Sequence, residues 1–311
     1  MRTLRATIVA CLAASISLGT GAVTSSARVP SSAAPPSAAV ATAAPAVPLL
    51  VDVRAASHRT FDRVVWEFVG GVPKTRVVRY VDELTADGSG EPVRIAGSAI
   101  LAVTMFQANA HDENTGQATA PSRVVAGLGN VIEVVESGDF EATVSYGIGL
   151  AKRQKFSVTT LRNPSRIVID VRKDYRQATR TVRLLDEPRF VAGTPPFTRN
   201  VNRRVPAAAP AAAVLHHMFA GPTRVERAQG LRTVRSGATG FTRLTISKSK
   251  VARVFLKGGC NSRGSTFTVA NLIRPTLKQF GSVRWVKIYD PQGHTEHPTG
   301  RRDSIPECLE P

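Results

Sequence analysis

The sequence has little cysteine, few aromatic residues and far fewer acidic than basic residues. It holds three cysteines in 311 residues, none in a Cys-x-x-Cys spacing, which argues against a pair of reactive thiols. The basic C-terminal half has few aromatic rings on which nucleic-acid bases could stack. No serine stands in the strand, Gly-x-Ser-x-Gly, helix context of a nucleophile elbow, and no nucleophile–base pair or metal-ligand set emerges. The pattern therefore favours a binding protein over an enzyme.

The N-terminus has the three parts of a secretory signal peptide. Arg2 and Arg5 supply positive charge, residues 6–18 form an apolar run, and small residues up to Ala27 fit a cleavage site there. The run of 13 residues is too short to span a bilayer, and the chain has no second long one. We therefore expect this segment to be removed on export, and the protein to be extracellular or associated with the cell wall.

Two N-terminal features bear on how the chain is retained. Residues 8–11 match the sequence of a lipoprotein box that ends at Cys11. Acylation of Cys11 would leave only five apolar residues before it, so we interpret Cys11 as part of the signal peptide. Residues 28–47 contain only Ala, Ser, Pro, Val and Thr apart from Arg28. Such a segment cannot bury enough apolar surface to offset its chain entropy, and the sequence predicts a disordered tether.

Removal of the signal peptide leaves two cysteines, Cys260 and Cys308. An even number of cysteines in an exported chain points to one disulfide. The bond would close a loop of 47 intervening residues and contribute about 4 kcal/mol in the loop-entropy model. It would also anchor the C-terminal tail.

Charge is shared unevenly along the chain. Residues 48–173 hold 15 Lys/Arg and 14 Asp/Glu, a net charge of +1, whereas residues 174–311 hold 23 and 9, a net charge of +14. A basic domain on an exported protein would be attracted to anionic wall polymers, lipid headgroups or extracellular nucleic acid. An Arg-rich composition from a GC-rich genome is the alternative, but that bias would act on both halves equally.

Residues 48–173 alternate in the manner of half-buried strands and show no apolar stripe of helical period. The predicted strands are 49–53, 61–68, 76–81, 100–106, 132–136, 141–146, 155–161 and 166–172. The segment therefore reads as an all-β domain of sandwich type. Polar residues at 109–114, with His111 and Asp112 among them, lack the spacing of a calcium loop, and we interpret them as a solvated loop.

Several motifs in this segment resemble the AMIN-like domain of actinobacterial secreted proteins. They are FDRVVWEF at 61–68 with GG at 70–71, YVDE at 80–83, DGSGEPV at 87–93, GDFE at 138–141, YGIGL at 146–150 and NPSRIVIDV at 163–171. The resemblance spans nearly the whole of residues 48–173. It implies a β-sandwich related to AMIN domains, which attach envelope proteins to peptidoglycan.

The remainder of the chain reads as a linker at 174–198 and an α+β domain at 199–311. The predicted elements, in chain order, are a strand at 199–205, a helix at 207–220, a hairpin of strands 241–247 and 251–256, a helix from Ser265 or Thr266 to Phe280 and a strand at 283–289. This order, β-α-β-β-α-β, is that of a split βαβ fold. Pro275 is expected to kink the second helix.

This second domain resembles the GerMN domain first described in spore-germination proteins. The matching motifs are FAGPT at 219–223, ER at 226–227, GLRT at 230–233, STFTVA at 265–270, WVKIYDP at 285–291 and DSIPECL at 303–309. One departure is Lys248-Ser249-Lys250, where the family usually has an Asp-Gly type of turn. GerMN domains are interaction modules, so the resemblance implies docking to a protein or an anionic surface rather than catalysis.

The histidines of the second domain do not suggest a metal site. His294, Glu296 and His297 lie close in sequence, but Pro and Gly residues around them indicate a loop that lacks further ligands and a second shell. His216 and His217 are adjacent on the predicted helix and point in different directions.

The sequence as a whole predicts a non-catalytic, exported envelope protein that binds peptidoglycan or another wall polymer through its first domain and docks a protein or anionic surface through its second. We expect no cofactor, no metal, no small-molecule substrate and no membrane span. A wall hydrolase or transferase and an extracellular nucleic-acid binder are the alternatives, and neither has a recognisable motif.

Overall fold

The structure is a computed structural model that describes residues 47–262 and 264–310. The predicted signal peptide, the cleavage site after Ala27, the Cys11 box and the tether up to residue 46 lie outside the described residues. All described residues belong to one compact unit. Among them, no helix is both long and apolar enough to cross a membrane.

Nine strands and no helix make up residues 48–173. They are β1 (Leu49–Ser57), β2 (Phe61–Val69), β3 (Thr75–Val81), β4 (Ala99–Phe106), β5 (Arg123–Val125), β6 (Val131–Phe140), β7 (Thr143–Leu150), β8 (Phe156–Arg162) and β9 (Ser165–Arg172). One sheet has the order β1-β2-β9-β8 and the other β3-β4-β7-β6-β5. All neighbouring strands are antiparallel. The all-β prediction is therefore confirmed, and β5 is a strand of three residues that the sequence analysis missed.

The core of this first domain lies between the two sheets. Alternate residues of β2 and β9 point inward, so that Val64, Trp66, Ile167 and Ile169 are fully buried. Trp66 meets Tyr146 of the opposite sheet edge to face, with ring centroids 6.1 Å apart. Burial alternates with period two in β4, as the sequence pattern predicts, whereas β6 and β7 are buried on both faces over Val131–Val135 and Val144–Leu150.

The C-terminal part combines six strands with four short helices. They are β10 (Gln177–Asp186), α1 (Glu187–Val191), β11 (Thr198–Pro206), α2 (Pro210–Ala220), α3 (Arg224–Ala228), β12 (Leu231–Arg232), β13 (Ala238–Ile246), β14 (Val251–Gly258), α4 (Ala270–Lys278) and β15 (Trp285–Tyr289). The strands form two sheets of three, in the orders β11-β10-β12 and β13-β14-β15. Helices α2 and α4 contribute Leu215, Met218, Ile273 and Leu277 to a core that both sheets share.

Two expectations for this region are wrong. Residues 174–198 are not a linker, because they contain β10, which pairs along its whole length with β11. The described residues also form no single split βαβ sheet, because β11 pairs with β10 instead of joining β13, β14 and β15. The parallel β14-α4-β15 unit and the antiparallel β13-β14 hairpin are present.

The ends of the two longer helices follow local chemistry. Helix α2 begins at Pro210, a residue preorganised for the first turn, and ends at Gly221, whose φ of +88° favours glycine. Helix α4 begins later than predicted, at Ala270, because the Ser265 hydroxyl accepts from Phe267 N–H and closes a separate turn. Pro275 lies inside α4.

The predicted disulfide between Cys260 and Cys308 is present, with the two Cα atoms 5.6 Å apart. Cys260 follows β14, and Cys308 lies in a short 3-10 turn at Glu307–Leu309. Leu309 beside it is buried in the C-terminal core. The tail is therefore attached to the domain both covalently and by apolar packing.

The sandwich and the C-terminal part meet at the end of α2. Arg94 donates from Nη2 to the carbonyl of Phe219 at 2.6 Å, and Gly97 N–H donates to His216 Nδ1 at 3.1 Å. A small apolar cluster that includes Ile132 and Ala220 lies beside these bonds. The contact therefore combines hydrogen bonds with apolar burial.

Candidate functional site

One side of the sandwich exposes two edge strands. β3 ends one sheet and β8 ends the other, and both run along the same side of the domain. Tyr80 of β3 packs edge to face on Phe156 of β8, with ring centroids 5.9 Å apart. The Tyr80 hydroxyl also donates to the carbonyl of Gln154 at 2.5 Å and accepts from its N–H at 3.1 Å. We call the line between the two strands the edge seam.

A groove of about 900 Å³ opens at the lower end of the edge seam. We call it the end groove. It is lined by the turn between β2 and β3, by residues of β3, β8 and β9, and by two residues from the turns after β4 and β6: Val47, Pro48, Gly70, Gly71, Val72, Pro73, Lys74, Arg76, Gln107, Ala142, Thr160, Arg162 and Ser165. Five separate stretches of the chain, 47–48, 70–76, 107, 142 and 160–165, therefore build one concave surface.

The charge of the end groove has one sign. Its lining holds three cations, Lys74, Arg76 and Arg162, and no carboxylate. None of the three forms an ion pair with any residue in 47–262 or 264–310. Elsewhere in the sandwich a comparable cation is neutralised: Arg63 holds Asp170 through two bonds of 2.7 and 2.8 Å. The end groove thus presents free positive charge.

The backbone around the end groove is unusual. Gly70 and Gly71 have φ values of +83° and +129°, and the non-glycine residues Gln107 and Ala142 have values of +57° and +52°. A side chain in the left-handed region costs free energy that the rest of the fold must outweigh. Gln107 and Ala142 carry this cost, whereas glycine tolerates such φ values at 70 and 71, so the packed sheets behind the lining hold the turns that shape this concave end.

A second, shallower cavity of about 610 Å³ lies at the upper end of the edge seam. It is lined by Tyr80, Arg153, Gln154, Lys155 and Phe156. The guanidinium carbon of Arg153 sits 4.3 Å from the centre of the Tyr80 ring, which holds that cation in place by a cation–π contact. The edge seam therefore carries cations at both ends and aromatic and apolar side chains between them.

The comparison with protein families concerns this part of the chain. Residues 48–173 match the AMIN-like domain family. The matched range covers every strand of the sandwich, all of the edge seam and all of the end groove except Val47. A comparison with curated proteins gives no match, and neither does a comparison with solved structures.

The polar loop at 109–114 of the AMIN-like domain is a hydrogen-bonded loop. Asn109 donates from Nδ2 to Glu113 at 2.6 Å, and Asp112 Oδ1 accepts from Thr115 N–H at 2.8 Å. His111 Nδ1 lies 2.5 Å from Asp139, and this hydrogen bond raises the pKa of His111. These groups are hydrogen-bonded to one another within the loop or to Asp139 of β6, and none of them lines the end groove.

The AMIN-like domain also contains two buried carboxylates that hold its framework. Asp62 accepts from the N–H groups of Asn130 and Val131 at 2.6 and 3.1 Å and pairs with Lys173 at 2.8 Å. Glu133 pairs with Arg123 and accepts from the Ala96 N–H at 2.5 Å; burial raises its pKa. Both are saturated by neighbours and are structural.

The histidines of the C-terminal part lie in two different settings. His294 contacts Asp290 at 3.3 Å and His297 contacts Glu296 at 3.1 Å, each as a separate exposed pair. In the part of the chain that the structure describes, no three His, Cys, Asp or Glu side chains are grouped so as to hold a metal ion. His216 and His217 lie on α2, and burial lowers their pKa values to about 4 and about 3.

The sequence analysis did not find the end groove. Its cations are separated by up to 88 positions, and Lys74, Arg76 and Arg162 each look like an ordinary exposed residue of a strand or turn. The one signal in the sequence is the absence of acidic residues from 68–81 and from 142–169. These two acid-free stretches contain β3 and β8, which the tertiary structure brings side by side.

Proposed function

We propose that the protein is a non-catalytic, exported cell-envelope protein whose AMIN-like domain binds peptidoglycan or another wall polymer at the end groove. The observation that supports the proposal is a carboxylate-free groove with three unneutralised cations on a domain that matches the AMIN-like family. AMIN-like domains are generally peptidoglycan-associated and non-catalytic. Peptidoglycan carries carboxylates on its peptide stems, and guanidinium groups bind carboxylates through paired hydrogen bonds.

The shape of the site suits a polymer. The end groove opens onto the edge seam, and the second cavity with Arg153 and Lys155 lies at the other end of the same two strands. Residues 76 to 80 span about 13 Å along β3 at about 3.3 Å per residue. An extended chain lying on the edge seam would therefore meet cations at both ends and the Tyr80 and Phe156 rings between them.

We further propose that the C-terminal part, from β10 onward, forms a GerMN-like domain that docks a protein or an anionic surface. The net charge of +14 on residues 174–311 supports an acidic partner. The proposal that neither part is catalytic is supported by the pairing of the acidic and histidine side chains described above, which leaves no base beside a nucleophile among them. A wall hydrolase or transferase would need such a pair at a cleft.

The test is co-sedimentation of the purified mature protein with sacculi stripped of teichoic acid. We expect binding that persists in 0.5 M salt and that falls about tenfold in Arg162→Glu and Arg76→Glu, because each removes a charge-assisted hydrogen bond and adds repulsion. Arg59→Glu is the matched control. It makes the same charge change on the turn before β2, at the opposite end of that strand from Gly70.

Three results would contradict the proposal. The first is an equal loss of sacculus binding in Arg59→Glu and Arg162→Glu. The second is sacculus binding that disappears at high salt and is matched by binding to DNA. The third is failure of the protein to sediment with stripped sacculi. The first two would assign binding to net charge alone, since exposed charges are screened beyond about 3 Å at 1 M salt. Release of soluble fragments from the sacculi would instead favour the hydrolase.

A further inference from the structure

The sheet β13-β14-β15 has an outer face turned away from the core. The strand register places Arg243, Phe255 and Tyr289 abreast across the three strands, and Thr245, Arg253 and Lys287 abreast in the next row. We call these six residues the arginine face; Arg243, Thr245, Arg253 and Phe255 are at least partly exposed, and Lys287 and Tyr289 are buried along its β15 side. We propose that the arginine face is a binding site for a linear phosphodiester polymer, the chemistry of a teichoic-acid backbone. The proposal does not depend on the function proposed for the AMIN-like domain.

One guanidinium of the arginine face, that of Arg243, is held in position by an aromatic ring. The Arg243 guanidinium carbon lies 4.0 Å from the centre of the Phe255 ring. On its other side the same ring stacks on Tyr289, with centroids 4.4 Å apart and planes 10° from parallel. A stacked guanidinium keeps its hydrogen-bond donors free at its edge, where they match two phosphate oxygens. Less side-chain entropy is lost on binding because the fork is already oriented.

The arginine face also has an excess of positive charge around Lys287. Lys287 is fully buried, and its Nζ donates to the carbonyls of His297 and Thr299, the latter at 2.9 Å. No carboxylate contacts it among the described residues. Burial lowers the pKa of Lys287, and the neighbouring Arg302 and Arg253 lower it further, by more than the nearby Asp303 raises it. Three cations therefore repel one another at this place, and a bound anion would relieve that repulsion.

The acidic groups around the arginine face are already engaged. Asp303 pairs with Lys278 through one oxygen and accepts the Val286 N–H at 2.9 Å with the other. Glu83 of the sandwich contacts Lys257 at 3.2 Å, beyond the row that contains Phe255. Within residues 47–262 and 264–310, neither Arg243 nor Arg253 has an ion-pair partner. The two guanidinium groups are thus free to bind a ligand.

The arrangement favours a phosphodiester polymer without bases over a nucleic acid. Single-stranded nucleic acids gain affinity by stacking bases on aromatic faces. Here one face of Phe255 is covered by Arg243 and the other by Tyr289, so the ring has no face left for a base. Arg243 and Arg253 are diagonal neighbours across an antiparallel pair, a separation of about 7–8 Å between their Cα atoms. Two phosphates of one flexible chain can reach both.

The experiment measures binding of the full mature protein to fluorescently labelled poly(glycerol phosphate) of defined length by anisotropy. We expect the dissociation constant to rise at least tenfold in the Arg243→Gln/Arg253→Gln double variant. Arg224→Gln/Arg227→Gln on α3 is the matched control, with the same loss of two exposed charges and an expected change of less than twofold. Arg243→Lys keeps the charge but not the fork, so an intermediate loss is expected.

Circular dichroism and thermal melts of each variant establish that the fold is retained. The proposal is overturned if the double variant binds within twofold of the wild type, or if the α3 control loses as much affinity. It is also overturned if oligo-dT of equal charge competes as well as poly(glycerol phosphate), since charge alone would then explain the binding. Removal of sacculus binding by Arg162→Glu has no bearing on this outcome.

Discussion

The buried histidine of α2 makes the stability of the protein depend on pH. His217 is 1% exposed, and neither ring nitrogen has a hydrogen-bond partner among the described residues. Burial and the neighbouring Arg203 both disfavour the imidazolium, so that the pKa of His217 falls from an ordinary 6.5 to about 3. The His217 side chain is therefore protonated near pH 6.5 in the unfolded chain but only near pH 3 in the folded chain.

The sign and size of the effect follow from that difference. Between pH 6.5 and pH 3 the unfolded state holds more protons, so stability decreases as pH falls and is fully retained above pH 6.5. A pH of 5 is about 1.5 units below the pKa of the His217 imidazole in the unfolded chain. This difference lowers the free energy of unfolding by about 2 kcal/mol. His216, whose pKa is lowered by burial to about 4, adds a similar loss at this pH.

The perturbation is His217→Met, a neutral side chain that adapts to an irregular core. The assay is urea unfolding at pH 7.5 and pH 5.0, with the free energy of unfolding extrapolated to water. The wild type should lose about 2 kcal/mol more than the variant between the two pH values. At pH 7.5 the variant should be no less stable, because it removes an imidazole N–H that is buried without an acceptor.

Equal pH dependence in the two proteins would refute this reasoning, because the His217 ring would then have to be hydrated or hydrogen-bonded. His294→Met is the control. This exposed residue leaves the buried rings untouched, so its variant should follow the wild type at both pH values.

Three other predictions concern the free energy of unfolding. Loss of the disulfide in Cys260→Ala/Cys308→Ala should cost about 4 kcal/mol by chain entropy, measured by urea unfolding; an unchanged value would contradict the loop-entropy account. Gln279→Glu should cost about 1 kcal/mol, because the Gln279 amide both accepts from Thr181 N–H at 3.0 Å and donates to its carbonyl at 2.6 Å, and glutamate cannot donate. Asp62→Ala should cost about 3–5 kcal/mol by leaving a buried lysine unpaired, whereas a loss under 1 kcal/mol would show that the lysine finds water.

The strands of the AMIN-like domain could be predicted well, and the reason is local. The apolar residues in segments such as 61–68 and 166–172 recur with the period of a strand that faces the core, whereas β6 and β7 are buried on both faces and their predicted bounds, 132–136 and 141–146, fit less well. The exception is β5, whose three residues are too few to show a period. The disulfide was also predictable, because two cysteines allow only one pairing.

The C-terminal part was predicted less well, for a physical reason that β10 illustrates. Val182 and Leu184 alternate with Thr181 and Arg183, so the period of a strand is present. The arginines and the flanking prolines obscured this period. The segment is a strand because it pairs with β11, about 20 positions away, and because the Gln279 side chain forms hydrogen bonds along its other edge. Those partners are set by tertiary structure.

The sequence by itself determined the all-β character of residues 48–173, the single disulfide and the concentration of positive charge in the second half, since each is a matter of composition or of a period a few residues long. Only the tertiary structure decided which cations lie together in each of the two domains. Lys74, Arg76 and Arg162 meet because β3 and β8 end two different sheets on the same side. Arg243 and Arg253 share a face because the hairpin register pairs one with Phe255 and sets the other one row away. Such proximity depends on strand order and register, which no local pattern in the sequence encodes.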